Sequence, residues 1–208
     1  VIRDDRPLDA HGFALRINDE EYRLLAKLEA AENCVCLKER ADFALGIVTG
    51  DNKRYLSNEC LDGMEPVVTG SDVYRYRYQD SGKYVDPDLA LYQQAAPAKL
   101  YRAPEKLIYR FINRQLVFAY DDRQRLTLNS CNVVIPRVER LDMKYIMAVL
   151  NSRVAQYMYE KRYHVVKVLR SHIESIPIPL ADVRSQQEII QMADNLMTCE
   201  SRCDLYDE

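Results

Sequence analysis

Glycine is scarce in this chain: there are six in 208 residues, no two of them form G-x-G, and no two of the eight prolines are adjacent. An enzyme that methylates amino groups needs a glycine-rich loop after a strand to approach its methyl donor. It also needs an N-P-P-Y-like segment to polarise the target amine, so that catalytic site is excluded. Cys34 and Cys36 form C-x-C, Cys199 and Cys203 form C-x-x-x-C, and Cys60 and Cys131 stand alone. A zinc ribbon wants paired C-x-x-C knuckles, and His11, His164 and His172 are too scattered to replace them. Free thiols in a reducing compartment are expected, with no metal and no disulfide framework. No stretch approaches the roughly 18 uninterrupted apolar residues of a spanning helix. The first residues carry Asp4, Asp5, Asp9 and Glu20 without the apolar stretch of a signal peptide. A cytoplasmic location without a membrane partner is the expectation. Because the chain opens on Val, it is expected to be a piece of a longer polypeptide.

The hydrophobic fraction of 48% and charged fraction of 29% suit a soluble globular protein, and the length suits one domain with a helical appendage. The net charge of −3 says little until it is divided. Residues 95–170 hold fifteen Lys and Arg against six Asp and Glu, while both flanks are acidic. A strongly basic middle is the electrostatic footprint of a polyanion-binding surface, because phosphate neutralisation follows the local field. Taken alone, the same counts fit a solvated charged face slightly better.

The pattern predicts an α+β fold. A capped helix begins at Asn18-Asp19-Glu20-Glu21. Phe43 to Thr49 and Pro66 to Thr69 read as strands ending in Gly-rich turns. Tyr74-Arg75-Tyr76-Arg77-Tyr78 alternates strictly, which on an extended segment puts three aromatics on one face and two arginines on the other. Leu89 to Ala96 reads as a short helix stopped by Pro97. Leu107 to Ile112, Leu116 to Tyr120, Leu126 to Leu128 and Val133 to Ile135 predict a twisted mixed or antiparallel sheet with Arg, Asn and Gln in its turns. One amphipathic helix is expected from Asp142 to about Arg162. Ile176-Pro177-Ile178-Pro179 cannot be helical, and a capping box at Ser185-x-x-Glu188 opens a last helix. Beyond that proline hinge the helix is expected to pack on a neighbouring domain or subunit and not on the sheet. The organisation is thus a helical lead-in over 1–40, a central domain over 41–180 and a C-terminal helix over 181–208.

Gly46-Ile47-Val48-Thr49-Gly50-Asp51-Asn52, Val68-Thr69-Gly70-Ser71-Asp72-Val73-Tyr74-Arg75-Tyr76 and Pro104-Glu105-Lys106-Leu107-Ile108-Tyr109-Arg110 together resemble the TaqI-like C-terminal specificity domain of restriction-modification enzymes. Leu150-Asn151-Ser152, Ile176-Pro177-Ile178-Pro179 and Gln186-Gln187-x-x-Ile190 are similar to the closing part of target recognition domains in type I restriction specificity subunits. The resemblance spans roughly residues 40 to 198. It implies a domain that reads a short duplex DNA sequence beside an adenine-specific methyltransferase domain of the same polypeptide or complex. S-adenosylmethionine would belong to that methyltransferase domain, and no cofactor to this chain.

Sequence-specific DNA binding by the basic middle segment is therefore the leading expectation. Arg bonds guanine acceptors in the major groove, and Asn or Gln bonds adenine. The candidates with polar tips on loops or strand faces are Arg75, Arg77, Arg110, Asn113, Arg114, Gln115, Arg123, Gln124, Arg125, Asn129, Asn132 and Arg137. Lys161, Arg162, Lys167 and Arg170 suit the phosphate backbone. Tyr76 is kept as a stacking candidate, whereas Tyr74 and Tyr78 read as core, and Asn151 and Ser152 as structural. A second reading is a protein-interaction module docking through its acidic last helix. A third, a nuclease, would need clustered carboxylates on a metal. Asp88 and Asp142-Met143-Lys144 have 53 residues between the two aspartates and read better as helix caps.

Overall fold

The computed structural model describes residues 17–163 and 165–198, an α+β arrangement of three small sheets and flanking helices. Helix α1 (Asp19–Glu29) starts as the sequence requires. Asn18 Oδ1 accepts from Glu21 N–H at 2.9 Å, and Glu21 Oε2 accepts from Asn18 N–H at 3.0 Å. Two of the orphan donors at the helix start are satisfied in this way.

The main sheet joins β2 (Ala41–Ala44), β8 (Cys131–Pro136), β5 (Lys106–Arg110) and β6 (Phe118–Asp121) in that order, every pairing antiparallel. Its two faces follow the two-residue strand period. Leu107, Tyr109, Phe118, Tyr120 and Val134 enter one core with residues from the helices, including Tyr145, Ile146, Met147, Leu150, Ala155, Tyr159 and Ile173. Ile108 and Ala119 point the other way and pack with Val68, Val73, Val117 and Cys131. A second sheet orders β4 (Tyr84–Val85), β3 (Glu65–Val68) and β7 (Leu126–Thr127), with β3 and β7 parallel. Ala44, Ile47, Val67, Val85, Leu126, Leu128 and Val133 fill the core it shares with the main sheet. A third pairing sets β1 (Cys34–Val35) antiparallel to β9 (Ile178–Pro179).

The strand expected over Phe43 to Thr49 stops early. After Ala44 the backbone passes so near the 128–131 turn that a Cβ on Gly46 would lie 2.1 Å from the Leu128 carbonyl oxygen. Ile47 and Val48 then make only single bridges, to Leu128 and Gln94. Helix α2 (Asn52–Tyr55) follows, capped by Asp51. Leu89–Leu91 is a 3-10 turn and not a longer helix, and the helix α3 (Ala98–Tyr101) lies beyond Pro97, where proline's missing N–H costs nothing.

The helix expected from Asp142 to Arg162 is two helices, α4 (Met143–Leu150) and α5 (Arg153–Arg162). Asn151, buried at the break, turns its amide onto β6. Its Oδ1 accepts from Phe118 N–H and its Nδ2 donates to Phe118 O, both at 2.9 Å. Ser152 Oγ then accepts from Ala155 N–H at 3.2 Å and restarts the helix. Helix α6 (Arg170–Glu174) leads into the prolines, and α7 (Val183–Thr198) ends the described chain. The cap of α7 is Asp182, which accepts from Ser185 N–H at 3.0 Å and from Ser185 Oγ at 2.8 Å, while Glu188 pairs with Arg184. Against expectation, α7 packs on this chain's own α4: Ala193, Ile189, Ile190 and Met197 join the main core, and Lys144 meets Asp194 at 2.6 Å. Buried Gln186 secures the corner by donating to Arg140 O at 2.8 Å and accepting from Asp142 N–H at 3.0 Å.

Replacing Gly46 with Ala is expected to destabilise the fold by about 3 kcal/mol, because the added methyl meets backbone that cannot rotate away. Gly63, which has nothing within 4 Å of a built Cβ, should lose about 1 kcal/mol on the same change, the cost of its left-handed backbone alone. Urea midpoints of the two variants check this ordering.

Candidate nucleic-acid interface

The strand period that sends Leu107 and Tyr109 toward the helices sends Ile108 and Arg110 to the opposite face. There Arg110 ends β5. Its Nε donates to Val73 O at 2.6 Å, and its guanidinium lies 5.5 Å from the centre of the Tyr74 ring. Arg77 reaches the same ring at 5.3 Å, so two guanidinium groups share the Tyr74 ring.

A tight turn builds this arrangement. Tyr74 N–H donates to Arg77 O at 2.9 Å, and Tyr76 takes a left-handed φ of 74°. Such a φ is costly for an aromatic residue. What holds it is the edge of the sheet: Tyr76 N–H donates to Phe118 O at 2.7 Å, Tyr120 N–H donates to Tyr76 O at 3.3 Å, and the Tyr76 ring packs into the main core. The alternation expected of an extended segment is therefore broken. Tyr76 faces the helices, whereas Tyr74 meets Arg110 and Tyr78 joins the opposite core.

At the other end of the same face lies an ion pair from which solvent is shut out. Lys106 and Asp121, directly opposite in the β5–β6 register, are both fully buried and bonded Nζ to Oδ2. Tyr78 donates its hydroxyl to Asp121 Oδ1 at 2.6 Å. Arg123 N–H and Arg125 N–H donate to the two carboxylate oxygens, each at 3.0 Å. Burial pushes the Lys106 pKa below its ordinary value, with Asp121 opposing the shift. Burial and the bonded carboxylate push the Tyr78 pKa up. One carboxylate thus folds the 122–125 turn and leaves Arg123 and Gln124 exposed at its tip. Gln124 adopts a φ of 56°, and its carbonyl accepts from Arg102 Nη1 at 3.0 Å.

The structure sorts the other candidates by what they touch. Arg125 pairs with Asp80, Arg137 with Asp42, Lys161 with Glu21, Arg162 with Glu29 and Arg170 with Glu174. Lys161 and Arg162 therefore hold α1 against α5. Arg75, Arg77, Arg110, Arg114, Arg123 and Lys167 form no ion pair with any described residue. Lys167 lies 5.8 Å over the Phe111 ring, brought to the β5 end by the Ile112 to Lys167 bridge. Asn113 donates to Gln115 O at 3.1 Å within the β5–β6 connection. Arg114 and Gln115 there border a polar cavity of about 580 Å³ shared with Glu160, Lys161 and Tyr163. Asn129 is exposed. Asn132 is engaged internally: its Oδ1 accepts from Gly46 N–H at 2.9 Å and its Nδ2 approaches Tyr109 OH at 3.5 Å.

Among the described residues no three His, Cys, Asp or Glu side chains gather as metal ligands. Asp88 and Asp142 cap Ala90 and Lys144, as expected of them. No helix of the described residues is long and apolar enough to cross a membrane.

The family described as the TaqI-like C-terminal specificity domain matches residues 65–178, more than half of the chain. The chain belongs to this family. No curated protein matches it. Among solved structures it is similar to the HsdS subunit from Thermoanaerobacter tengcongensis, at 14% identity and a TM-score of 0.50, over 85% of this chain and 43% of that one. A second structure, concerned with complex assembly and conformational transition of the type I R-M system, matches at 12% identity and a TM-score of 0.49, over 85% and 42% of the two chains. The chain thus spans less than half the length of either solved chain. The first likeness supports a shared fold.

The specificity-domain match contains the Tyr74 turn, β5, β6 and the Asp121 pair, all the parts that shape the basic face. Tyr74, Lys106 and Asp121 escaped the sequence reading. The available signal was a lysine and an aspartate each bordering an otherwise apolar strand, where charge is retained only if it is paired.

Removing one partner of the buried pair, by Lys106→Met, is expected to cost about 3–5 kcal/mol. Asp121→Asn should also speed amide hydrogen exchange at Arg123 and Arg125, whose N–H groups lose a charged acceptor. Urea titration and exchange measured by NMR check both.

Proposed function

We propose that this chain is a target recognition domain that binds duplex DNA through the strand ends and loops at the rim of the main sheet, where Arg77, Arg110, Arg114 and Lys167 lie. The observation that carries the proposal is the sorting of the bases. Arg102, Arg125, Arg137, Arg162 and Arg170 are neutralised by carboxylates, while Arg75, Arg77, Arg110, Arg114, Arg123 and Lys167 have no such partner among the described residues. Unneutralised cations at sheet edges and loop tips attract phosphate, and binding then releases counterions. Gln115 and Gln124 stand on the same connections as Arg114 and Arg123, and Asn129 on the β7–β8 turn, where each can bond base edges. The family supports this reading, as does the fold shared with the HsdS subunit.

Methyl transfer, on this reading, is the work of a domain elsewhere in the same polypeptide or complex. S-adenosylmethionine does not fit this chain, which has no G-x-G loop to approach it. This chain's contribution is to fix where on the duplex that chemistry occurs.

Fluorescence anisotropy of the full chain with mixed-sequence duplexes tests the proposal. Affinity should fall steeply between about 50 and about 200 mM salt. Single changes of Arg75, Arg114 or Lys167 to Gln should each weaken binding to every duplex and lower the salt slope by about one. Arg137→Gln, whose charge is already paired with Asp42, should change the slope less. Binding that is absent, or unaffected by salt, overturns the proposal.

A further inference from the structure

Most arginines that bind DNA are flexible, and a flexible side chain measures charge better than it measures bases. Arg110 is held differently. Its Nε is already bonded to Val73 O at 2.6 Å, its guanidinium lies by the Tyr74 ring, and its backbone is locked into β5 between β6 and β8. With Nε committed, the donors left over are the N–H groups of Nη1 and Nη2, a planar fork of fixed direction. No carboxylate among the described residues neutralises it.

Resting on the DNA-binding reading above, we propose that Arg110 reads a guanine base in the major groove, end-on through Nη1 and Nη2, with Tyr74 as the residue that positions it. Guanine offers two acceptors, O6 and N7, side by side at the spacing of such a fork, and no other base presents that pair. A phosphate also offers two oxygens, but it can be met from many directions. A fork whose rotation is blocked on two sides gains most where direction matters, since little freedom remains to be lost on binding. The strained turn serves the same end. Tyr76 in its left-handed conformation closes the Tyr74 to Arg77 hydrogen bond, and this presents the Tyr74 ring to both guanidinium groups. Gln79 Nε2 reaches Tyr74 OH at 3.3 Å and steadies the ring from its polar end.

Selection from a randomised duplex pool with the full chain provides the test. The selected duplexes should share a guanine at one fixed position. Replacing that guanine with 7-deazaguanine, which removes N7 and leaves the protein untouched, should weaken binding about tenfold or more. Arg110→Gln should lose the preference at that position alone, keep salt-sensitive binding, and become indifferent to 7-deazaguanine there. Tyr74→Leu should relax the same position while Tyr74→Phe, which keeps the ring, retains it. Thermal melting of each variant confirms that it is folded. Three results overturn the inference: no guanine common to the selected duplexes, no 7-deazaguanine effect at any selected guanine, or equal weakening of all sequences by Arg110→Gln, which marks a phosphate contact. If the unaltered chain shows no salt-sensitive binding to the pool, the DNA-binding proposal itself fails, and the guanine assignment fails with it.

Discussion

The arrangement of the basic face depends on one carboxylate with no access to water. Asp121 accepts from a lysine on the neighbouring strand, a tyrosine from the segment along the sheet edge, and two backbone amides from the turn that follows it. An isolated buried ion pair is a poor source of stability, because desolvation offsets the attraction. Its value here is geometric. A charged acceptor in a low-dielectric site makes its neighbours' positions expensive to change, so the edge segment and the 122–125 turn are fixed relative to β5 and β6. The rest of the face is laid out from that fixed corner.

The two sides of the main sheet have different duties. On the helix side the side chains are large and apolar, and α4 and α5 cover them, with α7 packed on α4. On the other side the apolar layer is thin, made by Ile108, Ala119, Val73 and Cys131, and it gives way to arginine at the end of β5. Small residues on that side let the edge segment lie close to the sheet. The Tyr74 ring is thereby brought within reach of a guanidinium that starts from a strand and not from a loop. A group based on a strand has less freedom to wander than one on a loop tip.

Fold class was legible because apolar periodicity reports burial directly, as in the strands around Leu107, Phe118 and Val134 and in the cap at Asn18. The departures share a cause: a long-range contact overrode a local pattern. Asn151 looks like a tolerable residue in a continuous helix until Phe118's backbone claims its amide. Tyr74 to Tyr78 looks like a strand until the sheet edge bends it into a turn with a left-handed residue. The candidate site was legible as a set of residue types but not as a sorted set. Nothing local distinguishes Arg137, paired with Asp42 far earlier in the chain, from Arg114, which has no such partner among the described residues.

The pairing of Cys34 with Pro179 and of Val35 with Ile178 bears on more than the stability of a two-stranded ribbon. The backbone comes into the body of the two larger sheets and departs from it side by side, although well over a hundred residues intervene. A host polypeptide could therefore accept this body between two of its own segments without being pried apart, much as an insertion is tolerated at a surface loop. Exchanging the sheets between those two strands while keeping α4 and α5 would leave α1 and α7 on the helices they pack against. Such an exchange is a local replacement and not a rebuilding of the whole protein.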